Sequence, residues 1–384
     1  MKILQITPYF LPHKGGTERY VYNLSKSLVD RGHTVTIYTS NIPETKPVEN
    51  IDGILIFRFK SAAEPLRNPL VPRLLIPLKD LQNFDLIHVH RIYSSIALFV
   101  MLQKKWNDVV PVVLTHHGRA RFEQKYEDFL VRWYEKLLFK KILSACDRCI
   151  ALSESDARFL ASFMTENKIS IIPNAINSAE LVHNSKQDID QFLTIHNLEG
   201  KKIILYVGRL MALKGINYLI EAFYDVKNEM KDPSVVLVIA GDGDEYNALK
   251  KITHEYNLVD SIRFIKDLSD TGRNYLYQSS LLFVLPSLSE GFPTTVLEAM
   301  FYGIPVIGTD IPVMKQNFSD SALLVPQRNS RALADAILSL LSDPGSALEL
   351  SLKGKDKVIN NFTWDSIVKK YLDIYSQVIS ARQS

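Results

Sequence analysis

Short apolar runs of strand length alternate with amphipathic stretches along nearly the whole chain. Runs at 2–7, 34–39, 85–90, 109–115, 149–152 and 169–172 fill the first half, and runs at 203–207, 235–240, 262–265, 281–285 and 304–307 the second. Many are continuously apolar, the pattern of strands buried on both faces of a parallel sheet. The stretches between them carry apolar residues at helical spacing. Thr17 and Glu18 open one, Val21, Leu24 and Leu28 line its inner face, and Gly32 ends it. Residues 216–223 begin another. A short third has Thr294 or Thr295 as N-cap, Val296, Leu297 and Met300 as its apolar face, and Gly303 as its stop. After Pro173-Asn174 the chain passes through a polar segment at about 178–202, which reads as a connection between domains, and the pattern restarts at 203. The expected fold is α/β, with one parallel sheet in residues 1–178 and another in 179–360, each with helices on both faces.

Open parallel sheets hold ligands just beyond the carboxyl ends of their strands, so the loops after the apolar runs are where chemistry belongs. Glu290 lies in such a loop. Glu298, one turn into the following helix, leans back toward the same end, because helical side chains tilt toward the N-terminus. Two carboxylates and the free N–H groups near Thr294, Thr295 and Val296 then converge. Carboxylates suit sugar hydroxyls and a helix N-terminus suits phosphate, which together fit a sugar joined to phosphates. The plainer alternative makes Glu290 a solvated loop residue and Glu298 the partner of a nearby Lys or Arg.

The run at 203–207 is followed by Gly208-Arg209 and, five residues on, Lys214-Gly215. Lys214 stands near the start of its helix, where a cation opposes the dipole; an anion bridging the two would explain it. Arg209 can grip phosphate oxygens bidentately. Alone, this segment could equally be a surface turn. Residues 235–240 run into Gly241-Asp242-Gly243, and Gly15-Gly16 precedes the first helix, where missing side chains admit a ligand to the backbone. The G-x-G-x-x-G dinucleotide fingerprint is absent.

Composition excludes several classes. With 384 residues, 46% hydrophobic and 23% charged, the chain is long enough for two well-formed cores. No apolar run approaches the roughly 20 residues of a membrane span, and residues 1–8 do not read as a signal peptide, so a cytoplasmic location is expected. The net charge of +3 is uneven. Through residue 180 there are 24 Lys+Arg against 18 Asp+Glu, or +6, and beyond it 21 against 24, or −3. The basic residues are interspersed with acids and accompany no recognition motif, which argues against nucleic acid as a partner. A predicted amphipathic helix at 119–145 carries Phe129, Trp133 and Leu137 on one stripe and Arg132, Lys136 and Lys140 on another, compatible either with packing on the sheet or with an anionic membrane surface. Residues 65–79, with Arg67, Arg73 and Lys79, form a second candidate patch for the acceptor or a membrane.

Cys146 and Cys149 are the only cysteines; without a second ligand pair or a helix opened by the motif, they read as buried reduced thiols. His88, His90, His116 and His117 lack an acidic ligand at a metal spacing, and the adjacent pair must point to opposite faces of extended backbone. No metal site is expected; one histidine at a strand's carboxyl end suits substrate contact better.

In combination these elements resemble the retaining family-4 glycosyltransferases over nearly the whole chain. Glu290-Gly291-Phe292-Pro293-Thr294-Thr295-Val-Leu-Glu298 is similar to the family's E-x7-E element, and the segment from Gly208-Arg209 to Lys214-Gly215 to its diphosphate clamp. Gly15-Gly16 is similar to its N-terminal glycine loop, Thr115-His116-His117-Gly118 to its active-site histidine segment, and Ile172-Pro-Asn174-Ala-Ile-Asn177 to its hinge. Ala175 and Asn177 depart from the Gly and Asp often found in that hinge. The resemblance implies the GT-B architecture, two Rossmann-like domains facing a cleft, with a C-terminal helix at about 361–384 crossing back to the first domain. It implies transfer of a hexosyl unit from a UDP- or GDP-sugar to a glycan or lipid-linked acceptor, without a metal or other cofactor. Glu290, His117 (or His116), Arg209 and Lys214 form the implied catalytic set. Gly15, Gly16, Asn174, Gly208, Gly241, Gly291, Phe292, Pro293, Thr294, Thr295 and Glu298 join Arg209 and Lys214 around the donor. A nucleotide-sugar epimerase or a non-catalytic nucleotide-sugar binder would share this architecture.

Overall fold

The computed structural model describes residues 1–13, 15–65, 68–75, 79–98, 110–118 and 134–383. It divides into two compact units, one of residues 1–175 with 364–384 and one of residues 176–363. The changes of unit fall a few residues from the expected 178/179 and 360/361 boundaries.

The first unit holds an eight-stranded sheet: β1 (Lys2–Ile6), β2 (Thr34–Ser40), β3 (Val48–Ile51), β4 (Ile54–Phe59), β5 (Leu86–His90), β6 (Val112–His116), β7 (Arg148–Ala151) and β8 (Ile169–Ile171), in the order β3-β4-β2-β1-β5-β6-β7-β8. All neighbours are parallel except β3 and β4, an edge hairpin that the sequence pattern did not reveal. Its signal was present. Asp52 and Gly53 adopt φ of 52° and 84°, the left-handed pair that an Asp-Gly hairpin turn requires.

Register sorts the side chains of this sheet. Gln5 lies beside His88, and His90 beside Thr115, so these polar residues share one face. The helices Gly16–Val29 and Trp364–Gln383, which touch each other, supply their partners from Tyr20, Tyr371 and Tyr375. The opposite face carries an apolar core that includes Leu4, Ile6, Val89, Leu114, Phe139, Ile142, Cys146 and Cys149. Both cysteines are free and fully buried.

Most of the helix expected at 119–145, with Phe129, Arg132 and Trp133, lies outside the described residues. Its last part opens with a π-turn over Glu135–Phe139 before the α-helix Lys140–Ser144. That wider turn breaks the 3.6-residue count: Leu137, assigned to the apolar stripe, is 43% exposed, and Phe139 is buried instead. Lys136 and Lys140 face solvent, as does Arg73 in the second basic segment, whereas Arg67 lies outside the described residues.

The second unit is a six-stranded, all-parallel sheet of β9 (Lys202–Val207), β10 (Val235–Ala240), β11 (Ile262–Ile265), β12 (Ser280–Leu285), β13 (Val306–Thr309) and β14 (Leu323–Val325), in the order β11-β10-β9-β12-β13-β14. The helices Ile216–Met230 and Ser330–Ser342 pack together over one face. The polar segment expected to be a connection is in fact built into this unit. Residues Lys186–Ile195 form a helix capped by Ser185, Phe192 packs on Tyr275, and Leu198 is fully buried. Its polar composition reflects a mostly exposed helix instead of a linker.

Candidate functional site

In the second sheet, β9 is flanked by β10 on one side and β12 on the other, so the connections leave in opposite directions at the β9/β12 boundary. Crevices in open α/β sheets form at such a reversal. The loops leaving β9 and β12 are tied together there. The Leu288 N–H donates to the Leu213 carbonyl at 2.8 Å, and a Cβ on Gly215 would fall 2.3 Å from the Pro286 carbonyl oxygen.

Across this junction Lys214 Nζ donates to both oxygens of Glu290, at 2.6 and 2.8 Å, and Ser287 Oγ donates to Glu290 Oε1 at 2.6 Å. The acid is therefore paired instead of freely solvated. It also supplies an anion for the cation that stood at the wrong end of a helix. Arg209 is exposed in the same loop, its carbonyl accepting from the Tyr206 hydroxyl at 3.0 Å. Burial, with the nearby Glu290 charge as a smaller cause, pushes the Tyr206 hydroxyl well above its ordinary range and keeps it protonated.

The helix Thr294–Phe301 begins one residue earlier than a threonine cap would allow. Pro293 occupies the N-cap position and no side chain caps the helix, which corrects the expectation for Thr294 or Thr295. Among the described residues no side-chain oxygen caps the first turn, where the Val296 N–H turns back to the Pro293 carbonyl at 3.2 Å, and a proline at the cap offers no donor of its own. Inside this helix Glu298 is 8% exposed. Its Oε2 accepts from the Tyr277 hydroxyl at 2.9 Å and lies 3.4 Å from Arg273 Nε. The alternative of an arginine partner for Glu298 thus holds, and the sequence did not reveal which arginine. Arg273 and Tyr277 were missed. Their one signal was an i, i+4 pair ahead of an apolar run, which does not name what they face.

The glycines divide into two kinds. A Cβ on Gly241, whose φ is 145°, would lie 1.9 Å from the Gly208 carbonyl oxygen, and one on Gly208 would lie 2.8 Å from the Tyr206 hydroxyl. These two are required by their own chain. Among the described residues none places an atom within 4 Å of the corresponding position at Gly291, so its backbone is open to approach. Phe292 is buried against Phe318 and Phe362, while Thr294 and Thr295 remain half-exposed. A cavity of about 250 Å³, lined by residues that include Lys250, His254 and Arg263, opens beside the start of β11 and shares no residue with this cluster.

The first unit shows the same division between its two glycines. A Cβ on Gly15 would meet the Glu18 carboxylate at 2.1 Å, whereas Gly16 has open space. Glu18, read from the sequence only as a helix opener, is nearly buried and lies 3.3 Å from His13. His116 and His117 point to opposite faces, as adjacent residues in extended backbone should. His116 is fully buried near Asp156 and Phe159. His117 Nε2 lies 3.1 Å from His90 Nδ1 and its ring packs edge-on to Tyr20. Burial first, and the neighbouring histidines and Arg91 next, hold His117 well below its ordinary pKa. With Gln5 Oε1 accepting from His90 Nε2 at 2.8 Å, His90 Nδ1 is an acceptor. His117 then donates through Nε2 and keeps a lone pair on Nδ1. Asn174 Oδ1 accepts from the Ala175 N–H at 2.8 Å.

Comparison with known proteins joins these observations. Residues 14–180 match the model described as Glycosyltransferase Family 4, and residues 188–357 the model described as Glycosyl transferases group 1. The chain is 25% identical to the GDP-mannose:cellobiosyl-diphosphopolyprenol alpha-mannosyltransferase of Xanthomonas oryzae, over 99% of this chain and 97% of that one. It is also 25% identical to the phosphatidyl-myo-inositol mannosyltransferase of Mycobacterium leprae, over 99% and 98%. Among solved structures it superposes on Anabaena HepE in complex with UDP and glucose, with a TM-score of 0.76, 18% identity, and coverage of 98% of this chain and 100% of that one. Two Rossmann-like units in this order, each matched by its own model, make the chain a member of the family-4 glycosyltransferases of GT-B fold.

Proposed function

We propose that the protein transfers a hexosyl unit from a nucleoside diphosphate sugar to a hydroxyl of a glycan or lipid-linked acceptor, with retention at the anomeric carbon. One observation carries the donor half of this reading. Arg209, Lys214, Glu290, Glu298 and an uncapped helix N-terminus are gathered around the loops at the carboxyl ends of two adjacent strands. Such a set offers cations and backbone donors to a diphosphate and carboxylates to sugar hydroxyls. In this assignment Arg209 and Lys214 grip the diphosphate, Glu290 meets the donor sugar and Glu298 the ribose. The open backbone at Gly291 supports close approach of the donor.

As the glycosidic bond breaks, negative charge grows on the departing diphosphate. Arg209, Lys214 and the helix N-terminus stabilise that charge more in the transition state than in the ground state, which is how they accelerate the reaction. Two cations supply the counter-charge, so the proposal calls for no divalent metal. The leaving phosphate takes the acceptor proton. Within the first unit, His117 is assigned to substrate contact through its Nδ1 lone pair, and Gly16 to close backbone approach. The acceptor is proposed as lipid-linked on two grounds: the named relatives act on a diphosphopolyprenol and on phosphatidylinositol, and Lys136, Lys140 and Arg73 are exposed cations suited to an anionic surface. Among the described residues no helix is long and apolar enough to cross a membrane.

Incubation with a panel of UDP- and GDP-hexoses and bacterial membrane lipids, read by mass spectrometry, tests this. Acceptor-dependent release of nucleoside diphosphate with a glycosylated product is the expected result. A changed sugar nucleotide without acceptor would mean an epimerase, and tight binding without turnover a non-catalytic binder.

A further inference from the structure

The helix Asp270–Gln278 sends two side chains, Arg273 and Tyr277, to the same atom. They stand four residues apart on one helical face: the Tyr277 hydroxyl donates to Oε2 of Glu298 at 2.9 Å, and Arg273 Nε faces the same oxygen at 3.4 Å as an ion pair without a hydrogen bond. Both are themselves held. Arg273 Nη1 pairs with Asp270 at 3.0 Å, and the fully buried Tyr277 ring stacks on Tyr302 at 5.8 Å with 17° between planes. Among the described residues none donates to the other oxygen, Oε1. A free carboxylate turns about its terminal bond and exchanges its oxygens, whereas this one has one oxygen engaged from two sides and presents the other in one direction.

We infer that Arg273 and Tyr277 are positioning residues that pre-orient Glu298, and that they set the enzyme's preference for ribonucleoside over deoxyribonucleoside diphosphates. This rests on the reading of Glu298 as the ribose contact. A nearly buried carboxylate has few other partners to turn to, so a nucleotide lacking the hydroxyl leaves Oε1 desolvated and unpaired. Sites built to bond a hydroxyl reject analogues without it far more strongly than apolar pockets reject a missing methylene. The rejection depends on orientation. An unpinned carboxylate can turn to water and lose the distinction.

The test measures binding of UDP and GDP and of their 2′,3′-dideoxy counterparts to the full chain by calorimetry, for wild type, Tyr277→Phe and Arg273→Gln. Wild type is expected to favour at least one ribonucleotide by about tenfold or more. Each variant should reduce that ratio to within roughly threefold while leaving affinity for the dideoxy form unchanged, a pattern that loss of stability alone would not produce. If Tyr277→Phe fails to fold, Arg273→Gln carries the same comparison. Variants that keep the wild-type ratio, or that weaken both nucleotides equally, overturn the positioning role and leave the donor site standing. A wild type that binds ribo and dideoxy forms alike overturns the ribose assignment of Glu298. A wild type that binds neither UDP nor GDP overturns the donor reading beneath both.

Discussion

Lys214 and Glu290, 76 positions apart, meet in a two-pronged contact in which one ammonium donates to both carboxylate oxygens at 2.6 and 2.8 Å. Their side chains are 24% and 10% exposed, so each neutralises a charge that water reaches poorly. The cation proposed for the diphosphate is thus paired with the acid proposed for the sugar. Lys214→Ala should therefore lower stability by about 1–3 kcal/mol, by leaving a mostly buried carboxylate with Ser287 as its remaining partner, and lower turnover on the order of a hundredfold. Adding Glu290→Gln should restore urea stability but not turnover. A single variant as active as wild type would remove Lys214 from the diphosphate.

Arg209 makes the contrasting case. It is exposed, so Arg209→Ala should leave the urea midpoint unchanged within about 0.5 kcal/mol while turnover falls on the order of a hundredfold. Equal loss of stability and rate would mark it as structural.

The two kinds of glycine predict opposite variants. Gly241→Ala sets a methyl 1.9 Å from the Gly208 carbonyl oxygen at a φ of 145°, and should cost about 3 kcal/mol or more or prevent folding. Gly291→Ala meets nothing within 4 Å, so its thermal midpoint should match wild type. Any effect there should fall on donor affinity; a folding defect at Gly291 would contradict the open backbone.

Three histidines, His88 and His90 fully buried and His117 partly exposed, govern the response to acid. Burial pushes His88 down to about 3, and His90 and His117 well below their ordinary value. Between those values and about 6.5 the unfolded chain takes up protons that the folded chain refuses, so stability is complete above about pH 6.5 and is lost as pH falls below it. His88 alone contributes a slope on the order of 1.4 kcal/mol per pH unit in that window. Asp156 opposes it. Burial raises this carboxyl to about 6, so its contribution is present below its ordinary pKa and is lost as pH rises to about 6. Three groups outweigh one, and the urea midpoint should fall steadily from pH 7 to pH 5. A flat profile would mean that the folded chain does not hold these histidines neutral.

Much of this molecule was legible before any coordinates. Continuous apolar runs identified most of the parallel strands, because burial on both faces leaves no room for polar alternation. The unread elements failed for local reasons. The hairpin of β3 and β4 lies at a half-exposed sheet edge, the helix Lys186–Ile195 is polar because it is mostly solvated, and the π-turn at Glu135–Phe139 shifts a periodicity that assumes 3.6 residues per turn. Thr294 passed for a cap because the pattern registers residue type, not the backbone angle that made Pro293 the cap.

The residue types that a diphosphate sugar would need, and their seats after particular strands, follow from the linear order alone, because period and loop position are properties of neighbouring residues. Partnership is not. Lys214 facing Glu290, Arg273 and Tyr277 meeting on one oxygen of Glu298, and Gly15 covered by Glu18 while Gly16 stays open were decided only by the folded chain. Strand order sets β12 beside β9, with Phe283 paired to Leu205 across 78 positions, and rotamers choose the facing atoms, and neither is written in the spacing of residues along the backbone.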